Sequence, residues 1–100
     1  MTSPVTITLV LNLKPEAAGP FCSALPNMLK DTKKFAGFRS IRIMRSKTDA
    51  NQVIFIEEWS SEEDYMKYIA WRTETGAMDD LASALASPPK MEVWPTLIAS

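Results

Sequence analysis

The stretch "VIFIEEW" (Val53–Trp59), running directly into "SSEEDYMKYIAWR" (Ser60–Arg72), decides the fold. Its first seven residues are mostly β-branched or aromatic, which predicts a strand. Val53, Phe55 and Trp59 fall on one parity and Ile54 and Ile56 on the other. A strand apolar on both parities is normally buried on both faces. Ser60 and Ser61 then start a helix, and Ser60 to Glu63 has the spacing of a capping box. On a helical wheel Tyr65, Tyr68, Ile69 and Arg72 share one sector, with Trp71 beside Tyr68.

Working outward, "KTDANQ" is a polar turn, and "FRSIRIMRS" (Phe38–Ser46) before it is a second strand that forms an antiparallel hairpin with Val53–Trp59. "VTITLVLNL" (Val5–Leu13) is another strand. After it, Lys14-Pro15-Glu16 opens a helix, with proline tolerated in the first turn and Glu favourable at the positive dipole end. Phe21, Leu25, Met28, Thr32 and Phe35 recur at helical spacing, interrupted by Pro20 and Pro26. The helix either begins at Pro20, with Gly19 as its cap, or bends there. Gly37 ends that segment. Downstream, Met78, Leu81, Ala82 and Leu85 form a helical stripe that "SPP" (Ser87–Pro89) stops. "KMEVWPTLI" makes a last strand, which Pro95 places at a sheet edge or bends.

The order β-α-β-β-α-α-β is the split βαβ plan of an α+β, ferredoxin-like sandwich, in a single domain over residues 1–100. Helices in this plan cover one sheet face. The chain has no spare element for the other, so the expectation is a homodimer packed sheet to sheet, the alternative being a monomer with an open apolar face.

Composition narrows the function classes. Eleven Lys and Arg balance twelve Asp and Glu, and no basic face stands out along the chain, so no nucleic-acid partner is expected. Cys22 is alone, which rules out an internal disulfide, suits a reducing cytoplasm and reads as a small core residue. The apolar N-terminal run lacks a basic leader and a cleavage site, and no run is long enough for a membrane helix. There is no histidine, which removes the commonest general base and the commonest metal and haem ligand. No metal site is expected.

Arg72 on an otherwise apolar stripe admits two readings. Its head snorkels to solvent or pairs with a carboxylate, or it stands at a pocket wall and holds an anionic oxygen. Trp59 and Trp71 suit a core better than a ligand box. Tyr65 and Tyr68 carry hydroxyls that need partners if buried. Glu57 shares parity with Trp59, and burial would require a cation, with Arg72 or Arg42 as candidates. Glu62, Glu63 and Asp64 read as capping and dipole complement.

Lys14-Pro15, then a helix, then "FAGF" (Phe35–Phe38), then "EEWSSEEDYMKY" (Glu57–Tyr68), together resemble the antibiotic biosynthesis monooxygenase family over essentially the whole chain. The resemblance implies a dimeric α+β barrel with a cavity between each sheet and its helices. It implies oxygenation of quinols or anthrones by O₂ without metal or flavin in some members, haem degradation in others, and no known activity in many. Many members carry a His nine residues after the motif Trp, where this chain has Tyr68. The Asn–Trp–His arrangement of the haem-degrading branch is matched only at Trp59, with Thr8 standing where the Asn falls. The expectation is therefore a cofactor-free monooxygenase acting on a small aromatic substrate, with Trp59, Arg72 and Glu57 as catalytic residues and Phe55, Tyr65, Tyr68 and Trp71 holding the substrate. The competing expectation is a non-catalytic dimeric binding or stress-related domain of the same fold, its cavity filled by Met28, Met66 and Met78.

Overall fold

The computed structural model describes residues 3–100. Seven elements follow the expected order: β1 (Val5–Asn12), α1 (Pro15–Lys34), β2 (Phe38–Arg45), β3 (Gln52–Trp59), α2 (Glu62–Glu74), α3 (Ala77–Ala84) and β4 (Lys90–Trp94). The four strands form one sheet in the order β2-β3-β1-β4, with all neighbours antiparallel. This is the α+β, ferredoxin-like arrangement. β4 lies at an edge and ends at Trp94, immediately before Pro95, which has no N–H to extend the ladder.

The register sorts side chains onto two faces. Val5, Ile7, Leu9 and Leu11 of β1 stand opposite Trp59, Glu57, Phe55 and Val53 of β3, all on the face that the helices cover. Ile7 and Leu11 are wholly buried, each contributing about 2 kcal/mol of apolar transfer. The other face presents Thr6, Thr8 and Val10 beside Ile54 and Ile56, none fully buried, and Trp94 lies half-exposed across it, its Nε1 donating to Thr8 Oγ1 at 2.9 Å. The single chain therefore leaves this face without a second layer, its apolar centre at Val10, Ile54 and Ile56 flanked by Arg42, Glu58, Lys90 and Glu92.

α1 is one continuous helix from Pro15, running through both Pro20 and Pro26. Ala18, Leu25 and Thr32 are its buried residues, seven apart on one stripe, whereas both prolines point to solvent. On the wet side of a helix, water can take the hydrogen bonds that the prolines cannot make, so the helix persists where the sequence allowed a later start.

The cap of α2 sits one residue later than the capping-box spacing suggests: Ser61 is the N-cap, and its side chain accepts from the Asp64 N–H at 3.1 Å. Gly37, with φ of 90°, turns the chain from α1 into β2. Its carbonyl accepts from the Ser60 N–H at 2.8 Å, joining the start of β2 to the strand–helix corner at Trp59. A Cβ at Gly37 would stand 2.5 Å from Asp64, so glycine is required there by both torsion and space.

Candidate functional site

Two buried clusters fill the space between sheet and helices. One gathers Leu11, Leu13, Ala18, Leu25, Val53 and Phe55; the other gathers Val5, Ile7, Trp59, Tyr65 and Tyr68. They do not fill it completely. A cavity of about 420 Å³ lies between the sheet and all three helices, with Leu9 and Phe55 on the sheet side and Phe21, Met28, Ile69 and Leu81 on the helix side. Met28 and Met78 line it without closing it, and Met66 lies outside, half-exposed. Its polar side chains are Glu57, Tyr65, Tyr68 and Arg72, with Asn27, Asp31 and Asp80 from the helices.

Arg72 is the cation of this wall, and it is buried. Its Nε donates to the Tyr68 hydroxyl at 2.9 Å, and its Nη2 donates to Thr32 Oγ1 at 2.9 Å and to the Met28 carbonyl at 3.0 Å. The guanidinium also lies 4.7 Å from the Trp71 ring centroid and 5.3 Å from that of Tyr68, within cation–π range. Among the described residues the ion pairs are Lys67–Glu63 and Lys90–Glu92, so no carboxylate neutralises Arg72. Of the two alternatives left by the sequence, solvent or carboxylate against cavity wall, the position is the cavity wall. Its hydrogen bonds go to neutral oxygens.

Glu57 is the opposite case, a carboxyl only 3% exposed. It receives the Trp59 indole N–H at 3.2 Å. Among the described residues it has no cationic partner of the kind expected: Arg42 projects from the other sheet face and is exposed, and Arg72 bonds elsewhere. Desolvation raises the Glu57 pKa above the ordinary carboxylate value, and the single indole bond lowers it only in part. Tyr65, wholly buried, donates to Met91 Sδ at 3.6 Å. Burial, then the nearby Glu57 and Tyr68, hold its pKa well above the ordinary phenol range, so it remains a neutral donor.

The residues singled out from the sequence divide into two groups. Phe55, Glu57, Tyr65, Tyr68 and Arg72 all line the cavity. Trp59 and Trp71 do not. Trp59 has no exposed surface and packs edge-on against Phe35, Phe38 and Tyr65, with Tyr68 tilted at 4.9 Å. It meets the cavity wall through its bond to Glu57 and its ring contacts with Tyr65 and Tyr68. Trp71 sits behind Arg72, tilted against Phe35 and Tyr68. Stacking of a ligand on either indole, expected from the sequence, has no geometry to support it. Thr8, on the open sheet face, is also off the cavity.

In the sequence Thr32 is only one member of the α1 stripe. It has no exposed surface, and its hydroxyl lies 2.8 Å from that of Tyr68 as well as 2.9 Å from Arg72 Nη2. A threonine inside an apolar helical stripe must find partners for its hydroxyl, which was the available signal.

Residues 4–72 match the profile of the antibiotic biosynthesis monooxygenase family. Solved structures agree over nearly the whole length. A conserved protein from Methanosarcina mazei is 14% identical with a TM-score of 0.85, over 96% of this chain and 95% of that one. A protein from Mycobacterium tuberculosis is 18% identical with a TM-score of 0.84, over 98% and 99%. SnoaB, a cofactor-independent oxygenase from Streptomyces nogalater, is 14% identical with a TM-score of 0.82, over 99% and 97%. No curated protein matches the sequence. At these identities the structural likeness establishes the fold, while the sequence profile covers well over half of the chain, from β1 to Arg72, including every cavity-lining residue outside α3; on that ground the chain belongs to the antibiotic biosynthesis monooxygenase family.

Proposed function

We propose that the chain is a cofactor-independent monooxygenase that oxidises a reduced aromatic or quinol-type molecule with O₂ inside the cavity. The observation that carries this reading is a buried guanidinium on an apolar cavity wall with no carboxylate to neutralise it. Such a group is costly to keep unless a ligand anion supplies the missing charge. SnoaB, of the same fold, is a cofactor-independent oxygenase, in keeping with this assignment.

The chemistry asks little of the protein beyond charge and exclusion of water. An activated CH₂ flanked by aromatic rings or a carbonyl loses a proton to give a carbanion stabilised as an enolate. That anion passes one electron to O₂, and the resulting radical pair forms a C–O bond as a peroxide. Protonation of the distal oxygen gives a hydroperoxide. The remaining proton on the same carbon then leaves as the O–O bond breaks, and the expelled hydroxide takes up that proton as water, leaving a carbonyl. One oxygen atom enters the substrate, the other leaves as water, and all four electrons come from the oxidised carbon. Arg72 stabilises the enolate oxygen, Phe55 packs the rings, and Tyr65 and Tyr68 orient hydroxyls. Glu57, a carboxyl on the cavity wall whose burial makes it a stronger base than an ordinary carboxylate, takes the first proton and returns it to the departing oxygen. Trp59 acts at one remove, through its bond to Glu57.

The working unit in this proposal is a homodimer in which the open sheet faces meet, covering Ile54 and Ile56. A second reading, a dimeric binding domain without catalysis, is favoured by one observation: Trp59 is withdrawn from the cavity into the core. Oxygen consumption across a panel of anthrones and dihydroquinones, without added metal or flavin, separates the two. Uptake above the spontaneous rate that Arg72→Ala and Glu57→Gln both abolish supports the oxygenase. Uptake unaffected by either variant refutes the site.

A further inference from the structure

We infer that Thr32 is the positioning residue of this site: its buried hydroxyl fixes the guanidinium of Arg72 so that Nη1 faces the cavity, and lets the Tyr68 hydroxyl become a second donor when an anionic oxygen is bound. The inference rests on the proposed role of Arg72 as the group that receives a ligand anion.

The guanidinium has five N–H donors in a rigid fork. Nε is taken by Tyr68 and Nη2 by Thr32 and the Met28 carbonyl. Nη1 has no protein partner among the described residues. Among the described residues no fully buried side-chain nitrogen or oxygen lacks a partner, so Nη1 retains accessible surface, and Arg72 lines the cavity. The three bonds therefore take the Nε proton and both Nη2 protons and leave the two Nη1 protons free. Two of the three accepting oxygens belong to α1, and Thr32 Oγ1 is the only one of these on a side chain.

The two hydroxyls admit two proton arrangements. In one, Tyr68 donates to Thr32 at 2.8 Å, and Thr32 donates back to the Met28 carbonyl at 3.4 Å. In the other, Thr32 donates to Tyr68, and the phenol proton turns toward the cavity. Both satisfy Arg72, which donates to each oxygen in either case. An anion beside Nη1 selects the second arrangement, because the freed phenol proton then meets a negative charge. Thr32 is thus acceptor for the guanidinium and reversible partner for the phenol, and both roles serve an ionised ligand only.

The test reads binding rather than turnover, so it stands apart from the oxygen-uptake assay. A hydroxyanthraquinone serves as probe because its visible band reports its ionisation state. The remaining titratable groups on the cavity wall are Asp31 of α1, Glu57 of β3, Tyr65 and Tyr68 of α2 and Asp80 of α3. All are neutral or anionic, so a lowered probe pKa in the complex traces to Arg72. The expected result is a bound pKa about one unit below that of the free probe in the wild type. Thr32→Val keeps the shape and removes the hydroxyl; it should weaken binding of the ionised probe by about tenfold and that of the neutral probe by less than about twofold, erasing the shift. Thr32→Ser should restore it. Should Thr32→Val not fold, Thr32→Cys, of similar size and a weak acceptor, carries the same expectation. Equal loss for both ionisation states, or none, would overturn the role of Thr32 while leaving Arg72 and the oxygenase reading in place. A probe pKa left unlowered by the wild-type protein would overturn the anion site, and this inference with it.

Discussion

Replacing Arg72 by Met separates a functional guanidinium from a structural brace by the sign of a stability change. The substitution removes three hydrogen bonds from a charged donor, worth at least about 4.5 kcal/mol together, and two cation–π contacts worth about 1 kcal/mol. It also removes the desolvation cost of a guanidinium without a counter-ion, several kcal/mol, and adds the burial of a Met side chain, roughly 2 kcal/mol. No orphan is left behind. Thr32 and Tyr68 still bond to each other at 2.8 Å, and the Met28 carbonyl lies within α1, where the backbone N–H of residue 32 can serve it. The opposing contributions nearly cancel, so Arg72→Met should lie between neutral and about 2 kcal/mol more stable, up to about 10 °C in Tm for a domain of this size. Urea unfolding followed by Trp fluorescence measures it, at one fixed protein concentration because self-association adds to apparent stability. A loss of about 3 kcal/mol or more would refute the reasoning and make Arg72 the polar brace between α1 and α2.

Three further outcomes follow from particular residues. The folded-state pKa of Glu57 is raised, so this group favours the folded state most at low pH, and its contribution is lost as pH rises from 4.5 through the folded pKa; Glu57→Gln should match the wild type at pH 4, exceed it at pH 8 and flatten the profile between them, read by thermal melts across that range. Gly37→Ala must adopt a positive φ with its Cβ against Asp64, and should cost about 2 kcal/mol or more, part of it recovered by adding Asp64→Ala; an unchanged melting temperature in the single variant would count against the strand–helix corner as described. Ile54→Lys and Ile56→Asp place charges on the open sheet face and should convert a dimer to monomer in sedimentation while leaving the far-UV circular dichroism intact; persistence of the dimer in both would place the interface elsewhere.

The strands were legible because a sheet with two different faces writes its parity into the chain. Glu57 on the parity of Val53, Phe55 and Trp59 is the same alternation that carries it into the helix-covered layer. The stripe of Tyr65, Tyr68 and Arg72 was legible for the same reason, since 3.6-residue spacing alone brings them to one side of α2. Depth along that layer was not legible. Trp59 and Glu57 are two residues apart, yet one lines the cavity and the other is sealed by Phe35 and Phe38, which arrive from the end of α1 and the start of β2. The Pro20 and Pro26 ambiguity had a similar origin, because a proline is tolerated or not according to which side of the helix is wet. The balanced net charge also conceals a local imbalance. Lys30, Lys33 and Lys34 at the end of α1 and Arg39, Arg42 and Arg45 on β2 are all exposed, and six cations there outweigh the single acid between them, Asp31.

What unites the unpaired charges of the cavity is that each is left unsatisfied in a different way. Arg72 has neutral oxygens at Nε and Nη2 and open space at Nη1, and Glu57 has a lone indole where a cation was expected. Had the two carboxyl and guanidinium groups met, each would have neutralised the other and the cavity would hold neither an anion site nor a proton acceptor. The sequence supplies both partners within sixteen positions, Glu57 to Arg72. The fold gives each a different neighbour, Trp59 for the first and Tyr68 with Thr32 for the second. Keeping them apart costs stability, and that cost is intelligible if a ligand anion and its proton are what the two groups divide between them.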